Sequence, residues 1–434
     1  MSPVEVGILA LAAMIGLIYA GLHVPIALAL TSYVGVWLVR DSQLLAGRML
    51  AIAAEEAISS YIFGVVPLFV LMGLIVSEAG LGRDAFDVAA RAFQRIRGGL
   101  GIATVAANAV FAAITGISIA SAAVFTRIAV PEMRRAGYRA RFSVGVVAGS
   151  SVLGMLIPPS LLLILYAVLT EQSVGTLFIA GIIPGLVLAL AYSIAIVLLA
   201  TYAKGFVGDV TRTDLPKLTA GETVVKLLPI TVLIGLVLGG IYGGIFTPTE
   251  AGAVGAFGAI VIAFVRRRLS LRKLWKITVE TGHITASVLF LIIAASMYSR
   301  MLALTGIPQA LTTWITHADL GITVFLVLIL AIAIVMGTIL DSSSILLVLV
   351  PLALPILTTF GVNLIWFGIL IVIAVEIGLL TPPLGLSVYM IHSTLQDRSV
   401  SLNGVFAGAA PFALVMLLVL AIVFLVPQLA LFLT

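Results

Sequence analysis

Residues 149–160 read Gly149-Ser150-Ser151-Val152-Leu153-Gly154-Met155-Leu156-Ile157-Pro158-Pro159-Ser160, and residues 376–385 read Glu376-Ile377-Gly378-Leu379-Leu380-Thr381-Pro382-Pro383-Leu384-Gly385. Each pair of prolines lies in an apolar stretch, 142–170 or 377–396, that carries no Asp, Glu, Lys or Arg. A proline ring removes one amide donor and clashes with the preceding turn, so a helix through either stretch is expected to split near Pro158 and near Pro382. The rest of the chain says what surrounds those splits. Of 434 residues, 62% are apolar and only 9% charged, with a mean hydropathy of +1.28, which is more apolar surface than one aqueous core can hide. Eleven uncharged intervals run for at least 19 residues, and a helix crosses the bilayer core in about 20. The chain therefore reads as an all-α integral membrane protein with many spans. Its first apolar stretch is long and lacks a basic flank, so it is expected to stay as a span rather than be cleaved.

Charge sets the orientation. Fifteen of the 23 Lys and Arg fall in 83–97, 127–141 and 266–276, and under the positive-inside rule these segments face the cytoplasm. The first two clusters bracket the 29 residues 98–126, too few for two crossings and, with both ends on one side, wrong for one. A re-entrant helical hairpin meets both demands, with its tip at Thr115-Gly116-Ile117-Ser118, where glycine permits the turn and serine offers a polar partner. Spans near 4–22, 24–39 and 58–78 precede this hairpin, and spans near 142–170 and 174–202 follow it. The polar stretch 203–223 reads as a cytoplasmic linker. Spans near 224–246, 250–265 and 282–304 then precede a second interval, 320–357, which reads as a hairpin opening to the outside. Spans near 363–391 and 404–432 finish the chain, with both termini outside.

Each half, 1–202 and 224–434, thus has five crossings and one hairpin, and the odd number turns the second half upside down: an inverted repeat. Sequence echoes agree with it. Gly99-Leu100-Gly101-Ile102 is matched by Leu320-Gly321-Ile322, Val130-Pro131 by Val350-Pro351, and Ile157-Pro158-Pro159-Ser160 by Thr381-Pro382-Pro383-Leu384. The amphipathic stretches 42–56 and 266–280 hold equivalent places and read as helices along the two membrane surfaces.

A split helix inside lipid bares carbonyls on one half and amides on the next, ends that suit a cation and an anionic substrate. Around the first split stand Gly116, Ser118 and Ser121 at the hairpin tip, with Ser150, Ser151, Gly154 and Ser160 beside Pro158. Around the second stand Gly337, Thr338, Asp341, Ser342, Ser343 and Ser344 at the tip, with Glu376, Gly378, Thr381 and Gly385 beside Pro382. Carbonyl and hydroxyl oxygens are hard ligands that fit sodium, and nothing here offers a soft-metal site. Charges at membrane depth are costly, which singles out Asp341, Glu376 and Arg300, the last with a guanidinium fork that matches a carboxylate. Glu250, in Thr247-Pro248-Thr249-Glu250, reads as a cap of the next span. The chain has no cysteine and its four histidines, His23, His283, His317 and His392, form no HExxH; this removes thiolate chemistry and disulfides. No GxSxG occurs either, so a membrane hydrolase has no catalytic residues to offer. The net charge of +5 marks cytoplasmic loops rather than a nucleic-acid partner; the surrounding partner is membrane lipid.

With Gly244-Ile245-Phe246-Thr247-Pro248-Thr249-Glu250-Ala251 added to the two double-proline motifs, the chain resembles, over essentially its whole length, the large membrane subunit of tripartite ATP-independent periplasmic (TRAP) transporters. The resemblance implies a sodium-driven secondary importer of organic acids in the bacterial inner membrane, with an elevator mechanism. It also implies a small four-helix membrane subunit and a periplasmic substrate-binding protein as partners. Sodium would sit where the first tip meets the first split (Gly116, Ser121, Ser150, Ser151, Gly154, Pro158) and where the second tip meets the second (Gly337, Asp341, Glu376, Gly378, Thr381, Pro382). Ser118, Ser160, Asp341 and Arg300 look like the family's substrate contacts, with Thr381 beside them. The first tip, Gly116-Ile117-Ser118-Ile119-Ala120-Ser121, is sparser in polar residues than a Ser-rich tip. A channel, or a solitary ion-coupled carboxylate transporter of the same architecture, stays open as an alternative.

Overall fold

Hydroxyl side chains open many of the long helices. Ser2, Thr219 and Thr247 each accept an amide bond within the first turn and receive a reciprocal glutamate, Glu5, Glu222 and Glu250, in capping boxes. Ser42, Ser173, Ser270 and Ser401 cap theirs singly. The structure, a computed structural model, describes residues 1–210, 218–317, 321–395 and 400–434, and every regular element among them is helical. Parts of the linker 203–223, and Leu320 of the repeat echo, lie outside the described residues.

Eight helices among the described residues are long and apolar enough to cross a bilayer, Ser342–Thr359 of the second hairpin among them, and the shorter apolar Gly99–Thr115 and Ile322–Gly337 are also hairpin arms. The first hairpin pairs Gly99–Thr115 with Ser118–Arg135 about a turn at Gly116, whose φ of +63° only glycine adopts without strain. The second pairs Ile322–Gly337 with Ser342–Thr359. Both double prolines interrupt their helices as expected. Ala140–Ser151 and Leu153–Leu156 give way to Leu161–Thr170, and Leu364–Leu379 gives way to Leu386–Thr394. The Pro158–Pro159 and Pro382–Pro383 peptides are both cis.

The helices sort into two packed groups. Val24–Arg40 and Val65–Glu78 from the first half pack with Pro248–Val265 and Leu271–Thr305 from the second. The hairpins and broken helices make the other group, and they are exchanged between halves. Ser118–Arg135 of the first hairpin packs on Leu386–Thr394 of the second broken helix, while Ser342–Thr359 of the second hairpin packs on Leu161–Thr170 of the first. Ala140–Ser151 and Leu402–Leu425 close the group so tightly that a Cβ on Gly145 would lie 2.0 Å from the Gly408 carbonyl oxygen.

Three features depart from the sequence reading. The stretch 266–280 is no separate surface helix; from Leu271 it continues unbroken to Thr305, a single helix of 35 residues. Leu81–Phe93 and Ile307–His317 are helices leading toward the two hairpins that the non-spanning sequence did not announce. The former is fastened to the second half by ions. Asp84, 4% exposed, bonds Arg266, with Arg268 at 3.5 Å and Lys226 at 3.8 Å, and Lys226 also meets Asp87.

Candidate functional site: two hairpin tips against two broken helices

The tip of the first hairpin rests directly on the first break. A Cβ on Gly116 would stand 2.5 Å from the Pro159 carbonyl oxygen, and the Leu161 amide donates to the Gly116 carbonyl at 3.2 Å. Gly154 packs on the Ile117–Ser118 backbone, its missing Cβ 3.2 Å from Ile117 C. Just below, three fully buried polar side chains join hairpin and broken helix: Ser121 Oγ donates to Asn108 Oδ1, and Asn108 Nδ2 donates to Ser150 Oγ at 2.6 Å. Ser151 turns inward to the Ala148 carbonyl at 2.8 Å, and Ser160 bonds the Met155 carbonyl while capping Leu161–Thr170.

The second tip repeats this arrangement. The Thr338 carbonyl accepts the Leu384 amide at 3.0 Å and the Gly385 amide at 3.1 Å, the counterpart of the Leu161–Gly116 bond. Gly337 and Gly378 touch backbone to backbone. Asp341 is the N-cap of Ser342–Thr359, accepting the Ser344 amide at 3.1 Å and its hydroxyl. Thr381 bonds the Ile377 carbonyl at 2.8 Å. The two breaks differ in access: Pro158 and Pro159 are buried, whereas Pro382 and Pro383 are exposed and Leu384 is 48% exposed.

The two copies meet at Glu376, which is fully buried. Ser342 of the second tip donates to its Oε1 at 2.9 Å, and Ser118 of the first tip lies beside the same carboxyl without forming a well-aligned bond. Glu376 Oε2, Ser118 Oγ and Tyr192 Oη are all buried and lack hydrogen-bond partners, and Tyr192 is within electrostatic reach of Glu376. Glu376 sits 12 residues along Leu364–Leu379, about 18 Å at 1.5 Å per residue, near the middle of a hydrocarbon core about 30 Å thick. A carboxylate sealed at that depth requires a cation or a proton. Its own orphaned Oε2 and the two further orphaned oxygens of Ser118 and Tyr192, with no cluster of metal-ligating His, Cys, Asp or Glu among the described residues, are hard donors of the kind a monovalent cation accepts.

A crevice of about 810 Å³ separates the second tip from the other group of helices. Asp341 and Ser344 face it from the hairpin, His23 and Ser287 from the opposite wall. Of the five expected substrate contacts, Asp341 lines this crevice, Ser118 and Ser160 are buried behind the tips, and Thr381 stands at the second break. Arg300 is elsewhere, ion-paired with Glu56 of Gln43–Ser59. It lies 13 residues beyond Ser287 on one unbroken helix, about 20 Å along its axis. Sequence reasoning missed Asn108 and Tyr192; the signal available for Asn108 was an amide within an otherwise apolar hairpin arm.

Comparison with known proteins fits this geometry. Residues 11–429 match the family described as the DctM component of the tripartite ATP-independent periplasmic transporter. The C4-dicarboxylate TRAP transporter large permease protein DctM of Pseudomonas aeruginosa is 37% identical, with 88% of each chain covered. The ectoine TRAP transporter large permease protein TeaC of Halomonas elongata is 31% identical over 97% of each. The sialic acid TRAP transporter large permease protein SiaM of Vibrio cholerae is 29% identical over 96% of each. Among solved structures the fold is shared with the Alcanivorax borkumensis YdaH transporter, at a TM-score of 0.67, 14% identity and 89% of each chain. It is also shared with Neisseria gonorrhoeae MtrF, at 0.59 and 14%, covering 88% of this chain and 84% of that one. A non-enzymatic, multi-pass chain with an inverted pair of hairpins and broken helices, matched from end to end by large permease proteins, belongs to the DctM-component family of tripartite ATP-independent periplasmic transporters.

Proposed function

We propose that the chain imports an organic acid into the cell with sodium, receiving it from a periplasmic substrate-binding protein and working beside a small four-helix membrane subunit. The single observation that supports this most is the convergence of both hairpin tips on Glu376, whose Oε2 is orphaned together with the hydroxyls of Ser118 and Tyr192. Sodium at the tip-and-break contacts satisfies those oxygens and locks the tips onto the broken helices. The relatives' named cargoes, C4-dicarboxylates, sialic acid and ectoine, all carry a carboxylate. A carboxylate docks against the second tip in the Asp341 crevice, where sodium offsets the repulsion from Asp341. The group of hairpins and broken helices then slides as one body against the four-helix group, an elevator. Inward sodium movement supplies about 2.3 kcal/mol per charge per 100 mV from the potential alone.

The test is uptake of radiolabelled C4-dicarboxylate, sialic acid and ectoine by proteoliposomes holding the chain with its small subunit. Uptake that requires both a sodium gradient and the added binding protein supports the reading. Equal uptake without sodium overturns the coupling, and equal uptake by this chain alone overturns the tripartite assembly.

A further inference from the structure

The two tips are tied down by different side-chain chemistry, although their backbone contacts match. Below the first tip, Asn108 stands in the middle of a chain of bonds. Ser121 Oγ donates to its carbonyl, its amide donates to Ser150 Oγ at 2.6 Å, and Ser150 Oγ donates weakly to the Val147 carbonyl at 3.4 Å. All three side chains are fully buried. They come from Gly99–Thr115, Ser118–Arg135 and Ala140–Ser151, so one carboxamide, an acceptor at one end and a donor at the other, joins both hairpin arms to the broken helix. Ser121 lies one turn past Ser118, and Ser150 lies just before Gly154, on which the Ile117–Ser118 backbone packs. The tie therefore brackets the seat of the tip, and it is neutral.

Nothing equivalent holds the second tip. Its arms, Ile322–Gly337 and Ser342–Thr359, contain no Asn or Gln. Among the described residues the one side-chain hydrogen bond from this hairpin to its broken helix is Ser342 to Glu376. That bond ends on a buried carboxyl whose other oxygen is orphaned, so it depends on how the charge there is compensated. Surroundings differ in the same sense. The four-helix group backs the first tip, where a Cβ on Gly73 would lie 3.0 Å from the Thr115 carbonyl oxygen, whereas the second tip faces the crevice.

We propose, building on sodium at Glu376 as the function above has it, that Asn108 is a positioning residue which keeps the first tip seated with or without the cation, so that the second tip alone responds to it. The tie lies wholly inside the hairpin-bearing group and travels with it. Within that group the first hairpin is a fixed floor, and the second is the part that loosens when the ion leaves.

Hydrogen–deuterium exchange of the full chain in detergent reads each seat at its own amides: Leu161, which donates to the Gly116 carbonyl, and Leu384 and Gly385, which donate to the Thr338 carbonyl. In the wild type, replacing sodium by choline should speed exchange at Leu384 and Gly385 by about tenfold or more and leave Leu161 within about twofold. Asn108→Leu takes the amide away from Ser121 and Ser150; with sodium present it should speed Leu161 by about tenfold or more and leave Leu384 and Gly385 as they were. Ser150→Ala cuts the same tie with a smaller change of bulk and should act in the same direction, which keeps the test open if Asn108→Leu fails to fold. Equal acceleration of both seats in the wild type on sodium removal overturns the proposal and leaves sodium at Glu376 standing. A Leu161 that stays protected in both variants, or a rise there matched at Leu384, overturns it too, since Asn108 then holds nothing or only the fold at large. A wild type in which sodium removal alters neither seat overturns the sodium reading itself, and this inference with it.

Discussion

Gly378→Ala puts a methyl group where the second hairpin leans on the second broken helix. Its Cβ would lie 2.5 Å from Gly337 Cα, 2.6 Å from the Ile334 carbonyl oxygen and 2.8 Å from Gly337 C. All three are backbone atoms, so no rotamer change relieves the overlap, and carbon contacts settle at roughly 3.5 Å. The hairpin must therefore back away by about 1 Å. The amide bonds from Leu384 and Gly385 to the Thr338 carbonyl, now 3.0 and 3.1 Å, and the Ser342–Glu376 bond, now 2.9 Å, would open to about 4 Å, past hydrogen-bond range. Overpacking of this kind costs about 1–3 kcal/mol, which is about a 5- to 150-fold shift away from the assembled tip. The assay is sodium-gradient uptake in proteoliposomes at matched protein content, with Gly235→Ala, a membrane-helix position where nothing lies within 4 Å of the new methyl, as control. The expected result is uptake reduced by at least about tenfold in Gly378→Ala, with a raised sodium requirement, and control uptake unchanged. Wild-type uptake and wild-type sodium dependence in Gly378→Ala would refute the idea that the tip-and-break contact forms the ion site.

Other perturbations address separate parts. Glu376→Gln keeps the shape and a partner for Ser342 but removes the charge; uptake should lose its sodium dependence, and an unchanged sodium half-saturation would exclude Glu376 from the ion site. Arg300→Gln and Glu56→Gln each break a partly exposed ion pair that stands outside the crevice, and each should change uptake by less than about fivefold. Loss of saturable uptake in Arg300→Gln alone would mean that the guanidinium meets substrate. Asp84→Asn leaves Arg266 and Arg268 without their buried carboxylate, a cost of up to about 3–5 kcal/mol. Its melting temperature in detergent should fall by several degrees, and melting like wild type would show that the cluster bears no load.

The sequence disclosed the parts of the fold that rest on backbone chemistry. Pro158-Pro159 and Pro382-Pro383 cannot donate amides to a helix, and both breaks stand where the prolines do. The basic clusters on either side of 98–126 fixed both ends of one segment on one face, and a hairpin with its turn at Gly116 follows. Partnerships across long separations were hidden. Arg300 and Glu56 are 244 residues apart and Asp84 and Arg266 are 182 apart, and no local periodicity links such pairs. Asn108 gains meaning only once Ser121 and Ser150 converge on it. The stretch 266–280 misled because amphipathicity reports which face of a helix is polar and not where its axis bends.

That last helix has a mechanical consequence. Leu271–Thr305 is 35 residues long, about 53 Å at 1.5 Å per residue, while the hydrocarbon it crosses is about 30 Å thick. Trp275 near one end is 71% exposed and Arg300 near the other is ion-paired. The 25 residues between them span about 38 Å, close to the separation of the two head-group layers. Moored at both shores by an indole and a guanidinium, this mast keeps its height in the bilayer, and displacement of the neighbouring hairpins is measured against it.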